Sequence, residues 1–404
     1  MASALTMTGP DSMRIEKIKK ALAARGVDAL IARIPENIFY LSGYLPSMAG
    51  NNPAAVFTQA GGIVVMASRE DQVFLDDGWA TDVRYYPAFP LKGDDPHERI
   101  IDFIRTTAEK RGIASGRIAY EGSFGSLSAP MFSGTIGIPS VIGFPDEIKT
   151  ALPKADLIDG TDLLRELRGA KTPYELERMR RTAEITAMGN LACKEQLRPG
   201  LTEAEIAAII ETGIMVGGSL MEGAKRWRGY AFVGTGSRTA IIWNVMQFNT
   251  GQQVKDGDLV LIELHAMLDG YWSDYTRSYV VGKPTEKQRE IWAVVAESQR
   301  KAMEADHPGA TGQEVDAAAR KVVTDAGYGD YFPHHTGHGT GLCSHEPPSI
   351  HPNVSGVVLP EGATHSCEPG IYIPDLGIGI RIEDIVETTP DGAKYLFDHD
   401  RNLD

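Results

Sequence analysis

Four of the ten histidines in this chain lie in the segment HHTGHGTGLCSHE, which runs from His334 to Glu346. Imidazole titrates near neutral pH and is a common protein ligand of transition metals, so such a cluster can serve metal binding or proton transfer. The glycines between the histidines favour neither helix nor strand. The segment is therefore predicted to be a loop.

Acidic side chains and a histidine alternate along the segment DLVLIELHAMLDGYWSDYTRSYVVG. Two β-rich runs flank Asp269-Gly270, a dipeptide typical of two-residue hairpin turns. With that turn, His265 faces Asp274 across the hairpin. Because side chains alternate along a strand, one face then carries Glu263, His265, Asp274 and Thr276.

The segment THSCEPGIYIPDLGIGIRIEDIVET indicates a second hairpin, which turns near Asp375 and Leu376 and sets Glu368 opposite Glu383. Two facing carboxylates in an apolar stretch repel and raise each other's pKa, so a positive charge is expected between them. Taken singly, each acidic pair is also typical of a solvated strand face, and each histidine of an ordinary loop. Together they form an oxygen-rich set with one histidine, which suits hard or borderline divalent cations.

The composition limits the classes of partner. The chain has 404 residues, enough for two domains, and a formal net charge of −14, which disfavours binding to nucleic acid or anionic membranes. No stretch approaches the roughly 18 apolar residues of a membrane span, and the N-terminus lacks the apolar core of a signal peptide. Three scattered cysteines do not predict a disulfide framework. The chain is therefore expected to be a cytoplasmic protein.

The elements that must position these residues follow from hydrophobic periodicity. The first part alternates helix IEKIKKALAARG with strands such as VDALIAR, GGIVVMAS and GRIAYEG, which predicts an α/β domain over residues 1–160. The second part, residues 161–404, opens with a helix that Thr172 caps and Glu175 reinforces through a capping box. A second helix, TEAEIAAIIETGIMVGG, precedes the hairpins, so an α+β domain with its site on the sheet is predicted.

Several motifs together resemble the creatinase, prolidase and methionine aminopeptidase family, which has the pita-bread fold. ALAARGVDALIARIPENIFYLSGY is similar to the start of its creatinase-type N-terminal domain, and RGAKTPYELERMRRTAEI to the entry of its catalytic domain. GTGLCSHEPPSI, EPGIYIP and GIRIEDIV resemble its signature blocks. The resemblance implies a homodimer that hydrolyses the C–N bond of a dipeptide or another small substrate, as an Xaa-Pro dipeptidase does.

The same resemblance implies roles for individual residues. Two divalent ions (Mn, Zn, Fe or Co) would be held by Glu263, Asp274, His338, Glu368 and Glu383, and would activate a water molecule against an amide. Glu368 would then carry the proton, with His338 as a further catalytic residue, and His345 would steady the substrate carbonyl. Arg381, two residues before Glu383, is expected to hold either a metal-ligating carboxylate or the substrate. His334 and His335 match no family role and are interpreted as structural or rim residues.

Three positions depart from the family pattern. Glu263 stands where the family has Asp, His265 where glycine is usual, and Trp243 where peptidases carry a substrate-binding histidine. We expect His265 to contact Asp274 or a substrate group, and Trp243 to line the substrate pocket. These departures leave two alternatives: a creatinase-like enzyme acting on small nitrogen compounds or cleaving dimethylsulfoniopropionate, with altered or absent metal, and a non-catalytic binding protein on this scaffold.

Overall fold

The computed structural model describes residues 9–47, 53–87, 95–122, 144–244 and 248–403. The chain divides into two compact units, Met1–Arg168 and Gly169–Asp404. Among the described residues, no helix combines the length and apolar character needed to span a bilayer.

The first unit contains a six-stranded mixed sheet with the strand order β4-β3-β2-β1-β5-β6. Its strands are β1 (Ala29–Ala32), β2 (Ala54–Thr58), β3 (Ile63–Ser68), β4 (Asp82–Tyr86), β5 (Arg117–Tyr120) and β6 (Asp156–Asp159). Its helices are α1 (Ser12–Ala24), α2 (Pro35–Ser42), α3 (Gln72–Leu75), α4 (Pro96–Arg111), α5 (Phe144–Ala151) and α6 (Thr161–Gly169). The central strands β1, β2 and β3 are buried along their whole length, as expected for a sheet covered on both faces. The predicted α/β class is confirmed.

The second unit begins with paired helices and continues into sheets. Its helices are α7 (Pro173–Gln196), α8 (Glu203–Leu220), α9 (Glu286–Ala305) and α10 (Gly312–Asp325). Each begins after a threonine whose hydroxyl accepts from the third helical N–H, while the Glu or Gln at that position bonds back to the threonine N–H. The threonines are Thr172, Thr202, Thr285 and Thr311. The capping box predicted at Thr172 is therefore present, and such a cap contributes about 1 kcal/mol.

The first predicted hairpin forms the core of a three-stranded antiparallel sheet. Its strands are β7 (Trp227–Thr235), β8 (Leu259–Leu268) and β9 (Tyr271–Val280), in the order β7-β8-β9. Asp269 and Gly270 both have positive φ, 46° and 93°, as a tight two-residue turn requires. The register pairs Glu263 with Thr276 and His265 with Asp274, which confirms the predicted pairing.

The second predicted hairpin is split between two sheets. Strands β10 (Gly337–Gly339), β11 (Glu346–Ile350), β12 (Thr364–Cys367), β15 (Asp384–Thr389) and β16 (Gly392–Tyr395) form one sheet in the order β11-β10-β12-β15-β16. Strands β13 (Gly370–Ile373) and β14 (Ile378–Arg381) form a two-stranded ribbon. Cys367 pairs with Asp384 and Gly370 with Arg381, so the pairs on both sides of Glu368 and Glu383 have the predicted register.

The segment around His338 is irregular as predicted, except for one short strand. Gly337, His338 and Gly339 form strand β10, which lies between β11 and β12. The two glycines are required by close packing: a Cβ on Gly337 would lie 2.0 Å from the carbonyl oxygen of Ser366, and one on Gly339 would lie 2.4 Å from that of Glu346. The neighbouring backbones therefore fix the direction of the His338 side chain.

Helices α9 and α10 cover the back of the ribbon. Ile291 and Val295 of α9 and Val323 of α10 share a buried cluster with Ile371 and Ile380 of the ribbon. Burying an aliphatic side chain of this size stabilises the fold by about 1.5–3 kcal/mol relative to leaving it exposed. The ribbon that carries Arg381 and leads to Glu383 is thereby held in place.

Candidate active site

The two β-systems of the second unit meet at Thr276 and Glu383. Thr276 N–H donates to the carbonyl oxygen of Glu383 at 3.4 Å, and Glu383 N–H donates to that of Thr276 at 3.1 Å. The Thr276 hydroxyl also donates to Glu383 Oε2 at 2.6 Å. This bridge brings the acidic face of the β8–β9 hairpin next to the glutamates of the second hairpin.

His338 presents one ring nitrogen to this acidic face. Its Nδ1–H donates to the carbonyl oxygen of Gly339 at 3.1 Å, which leaves the Nε2 lone pair directed towards the carboxylates. Nε2 lies 3.6 Å from Asp274 Oδ2 and 3.4 Å from Glu368 Oε1. Burial lowers the pKa of His338 below its usual value, although both carboxylates oppose the shift, so the ring is held as a neutral ligand.

The protein balances the negative charge around His338 only in part. Asp274 is almost fully buried, and the ring of His265 approaches its Oδ2 to 3.3 Å. Burial and the charges of Asp274 and Glu368 raise the pKa of Glu383 well above its usual range. Uncompensated carboxylates in a buried position are unfavourable unless a cation joins them, so this half of the site fits a divalent metal ion.

Glu368 is held in its charged form. Burial alone would raise its pKa, but a contact from His335 and the proximity of His338 keep the pKa well below its usual range. Ser366 donates to Glu368 Oε1 at 3.0 Å, and His335 Nε2 lies 3.5 Å from the same oxygen. A charged carboxylate with a free second oxygen can bind a metal ion or accept a proton.

His335 is expected from the sequence to be a structural or rim residue. Its ring nitrogen nevertheless lies within 4.8 Å of the ligand atoms of His338 and Glu368. The interpretation of His335 as merely structural therefore misses a neighbour of Glu368. Only its position three residues before His338 in the same glycine-rich segment could have signalled this placement. His334 instead bonds through Nε2 to the Tyr372 hydroxyl at 3.0 Å, and burial lowers its pKa to about 4.

The other half of the acidic face is occupied by cationic side chains. His265 Nε2 lies 3.0 Å from Glu263 Oε1, and its Nδ1 lies 3.3 Å from Asp274 Oδ2. Arg381 Nη2 donates to Glu263 Oε2, and its Nε donates to the Thr276 hydroxyl at 2.8 Å. Burial opposes protonation of His265, but the charges of Asp274 and Glu263 raise its pKa to about 10. The expected contact between His265 and Asp274 is present.

His345 lies flat against His338. Their ring centroids are 3.6 Å apart and their planes differ by 13°, and the ligand atoms of both rings and of Asp274 lie within 4.8 Å of one another. Burial, together with the neighbouring rings of His338 and His265, lowers the pKa of His345 to about 2. The ring is therefore neutral and can accept or share a hydrogen bond beside the carboxylates.

Trp243 stands at the open side of this half of the unit. Its side chain is 37% exposed, and its ring centroid lies 6.5 Å from that of Tyr372. Tyr372 is buried and bonds to His334, as above. Only its position four residues after Glu368 in the same segment could have signalled Tyr372, because the chain changes from one sheet to another between these residues.

Both units of the chain match known protein families. Residues 177–390 match metallopeptidase family M24, and residues 14–169 match the creatinase/prolidase N-terminal domain. An Xaa-Pro dipeptidase of Pyrococcus furiosus is 33% identical over 390 residues, which cover 96% of this chain and 99% of the relative. One of Lactobacillus delbrueckii subsp. lactis is 32% identical over 391 residues, covering 95% and 96%. The crystal structure of the prolidase from Pyrococcus horikoshii OT3 has a TM-score of 0.74 and 28% identity, covering 97% and 100%.

Proposed function

The chain belongs to metallopeptidase family M24, and from that premise we propose that it is a metal-dependent dipeptidase that cleaves the amide bond preceding proline. Its two units are the creatinase-type N-terminal domain and the pita-bread catalytic domain. One observation carries the proposal: the buried carboxylates of Asp274 and Glu368 lie 3.6 and 3.4 Å from Nε2 of a neutral His338, and the charges of both raise the pKa of the buried Glu383.

The resemblance in sequence implies five metal donors: Glu263, Asp274, His338, Glu368 and Glu383. A set of carboxylates with one imidazole suits Mn, Zn, Fe or Co, and the resemblance in sequence implies two such ions. When bound, a divalent ion supplies Lewis acidity to the scissile carbonyl and lowers the pKa of water. Positive charge from such an ion would be most favourable at the group formed by Asp274, His338, Glu368 and Glu383.

Glu368 is the proposed proton carrier. It is ionised, lies beside His335 and His338, and has one oxygen engaged by Ser366. A carboxylate so placed can accept a proton from water and deliver it to the leaving amine of proline. His345, neutral and stacked on His338, is proposed to orient the substrate carbonyl.

Trp243 and Tyr372 are proposed to form the apolar wall against which the proline ring packs. Trp243 is partly exposed and tilted by 51° against the Tyr372 ring, a surface suited to a flat aliphatic ring. Arg381 has its donors committed to Thr276, Glu263 and Tyr372, so we propose that it positions Glu263 and does not bind the substrate carboxylate. A homodimeric assembly and a cytoplasmic location complete the proposal.

The test uses the full chain, stripped of metal with a chelator and then reloaded with Mn²⁺. We expect hydrolysis of Leu-Pro only after reloading, with Leu-Ala cleaved more slowly. Glu368→Gln should lower kcat by about 10²–10⁴-fold, because it removes a general acid–base group. Glu387→Gln is the matched control, since Glu387 lies on β15 and bonds to Arg180 on the outer side of the unit; its kcat should stay unchanged.

Turnover that persists in the chelator, or an active Glu368→Gln variant, would contradict the proposal. Metal-independent turnover of small nitrogen compounds would favour a creatinase-like enzyme instead. Absence of both metal binding and turnover on a broad substrate panel would favour a binding protein.

A further inference from the structure

The imidazole of His265 lies between Glu263 and Asp274, two of the five side chains that the resemblance implies as metal donors. We infer that His265 takes the place of one ion and that the centre binds a single divalent cation, held by Asp274, His338, Glu368 and Glu383. This inference rests on the proposed metal dependence and revises the number of ions that the resemblance implies.

Glu263 is already in contact with two nitrogen-bearing side chains. Its Oε1 faces His265 Nε2 at 3.0 Å, and its Oε2 accepts a hydrogen bond from Arg381 Nη2. Both carboxylate oxygens therefore face nitrogen groups of the protein itself. An ion approaching Glu263 would have to displace a buried arginine or a buried imidazole, and either displacement leaves a polar group without its partner.

The His265 ring contacts both Glu263 and Asp274. Its Nδ1 lies 3.3 Å from Asp274 Oδ2, so the two ring nitrogens link the two carboxylates that face the same gap. Tyr230 stacks on the ring with centroids 4.9 Å apart and planes 29° from parallel, and Phe232 meets it edge-on at 5.9 Å. The ring is fully buried on the central strand β8. It is therefore fixed between the carboxylates and cannot swing aside without breaking this aromatic packing.

The donors around His338 remain available to an ion. His338 Nε2 lies 3.6 Å from Asp274 and 3.4 Å from Glu368, and its Nδ1–H is already bonded to the carbonyl oxygen of Gly339. Glu383 adds a third carboxylate, joined to the β8–β9 hairpin through Thr276. Three carboxylates and one imidazole are a complete donor set for one divalent ion, without any contribution from Glu263.

The experiment measures metal content, independently of turnover. The metal-free full chain is dialysed against excess Mn²⁺, its bound metal is counted by mass spectrometry, and its Mn²⁺ electron paramagnetic resonance spectrum is recorded. We expect one ion per chain and the six-line spectrum of an isolated Mn²⁺. His265→Ala should bind two ions, a twofold increase, with the altered spectrum of a coupled pair.

His365→Ala is the matched control. His365 is also a buried imidazole on a strand, and its Nε2 bonds to a carboxylate, Asp306, at 2.8 Å. Its loss removes the same chemical group from outside the acidic centre, so this variant should still bind one ion per chain. A second ion gained in both variants would attribute the effect to general loosening and overturn the role of His265.

The wild-type count is decisive even if a variant does not fold. Two ions in the wild-type chain overturn the inference and leave the proposed dipeptidase standing. No ion overturns both. One ion in the wild type without Leu-Pro hydrolysis supports the inference and contradicts the proposed function. One ion in a folded His265→Ala variant overturns the inference that His265 takes the place of the second ion.

Discussion

Glu383 and Asp384 are adjacent in the chain and both are buried, but the charges around them have opposite signs. Asp384 accepts hydrogen bonds from Arg277 at 2.6 Å and from Arg401 at 2.8 and 3.1 Å, and Gln299 donates to it at 3.0 Å. Burial alone would raise its pKa, but the two arginines hold the pKa below the usual range. Glu383 instead faces Asp274 and Glu368, and its pKa is raised.

Alternation along the strand explains the contrast, because adjacent residues project to opposite faces of a sheet. The face that carries Asp384 is closed by side chains of the protein itself, and its charges cancel. The face that carries Glu383 is left negative, although Arg381 Nε lies 3.7 Å away. A buried carboxylate whose charge is cancelled is a structural element, whereas one surrounded by other carboxylates indicates a site for an external cation.

The largest effect is expected on the closed face. Asp384→Ala leaves the buried guanidinium of Arg277 without its charged partner, which should lower the free energy of unfolding by about 3–5 kcal/mol. Chemical denaturation monitored by circular dichroism measures this change. Glu387→Ala on the same strand is the control, because its partner Arg180 is 41% exposed and the pair should contribute only about 0–1 kcal/mol. Equal losses in the two variants would remove the distinction between the faces.

Glu383→Gln should lower activity without lowering stability. Removing a proposed metal donor should lower kcat/KM by about 10²–10³-fold, because the Lewis acidity of a bound metal ion is worth several kcal/mol. The free energy of unfolding of the metal-free variant at neutral pH should equal or exceed that of the wild type, because the repulsion by Asp274 and Glu368 is relieved. Gln also keeps an oxygen to accept from Thr276. A destabilised variant with full activity would place Glu383 with Asp384 as a structural acid.

The smallest effect is a difference in pH dependence. A carboxyl group whose pKa is raised by folding stabilises the fold below its unfolded pKa, near 4.3, and that stabilisation is lost as the pH rises through the folded value. Glu383 is such a group in the metal-free chain. The metal-free wild type should therefore lose more stability than Glu383→Gln as the pH rises from about 5 towards neutrality. Identical slopes in denaturation series at several pH values would contradict the raised pKa.

Local rules were enough to predict both hairpins. The Asp269-Gly270 turn sets the pairing of His265 with Asp274, because a two-residue turn leaves one register for the strands that it joins. The capping box at Thr172 was readable for the same reason: its members are three residues apart. The short strand at His338 has no such local signal, because its glycines are required by contacts with Ser366 and Glu346, which belong to other strands.

The sequence by itself determined which side chains share a face, since alternation and turn geometry act over a few residues. Only the tertiary structure decided which charges meet: Arg381 reaches Glu263 from 118 residues away, and Arg277 reaches Asp384 from 107. Pairings of this kind depend on how separate sheets pack, and nothing in the local pattern encodes that packing. Charge compensation is therefore a property of the folded chain, and it distinguishes the acids that stabilise this protein from those proposed to bind a metal ion.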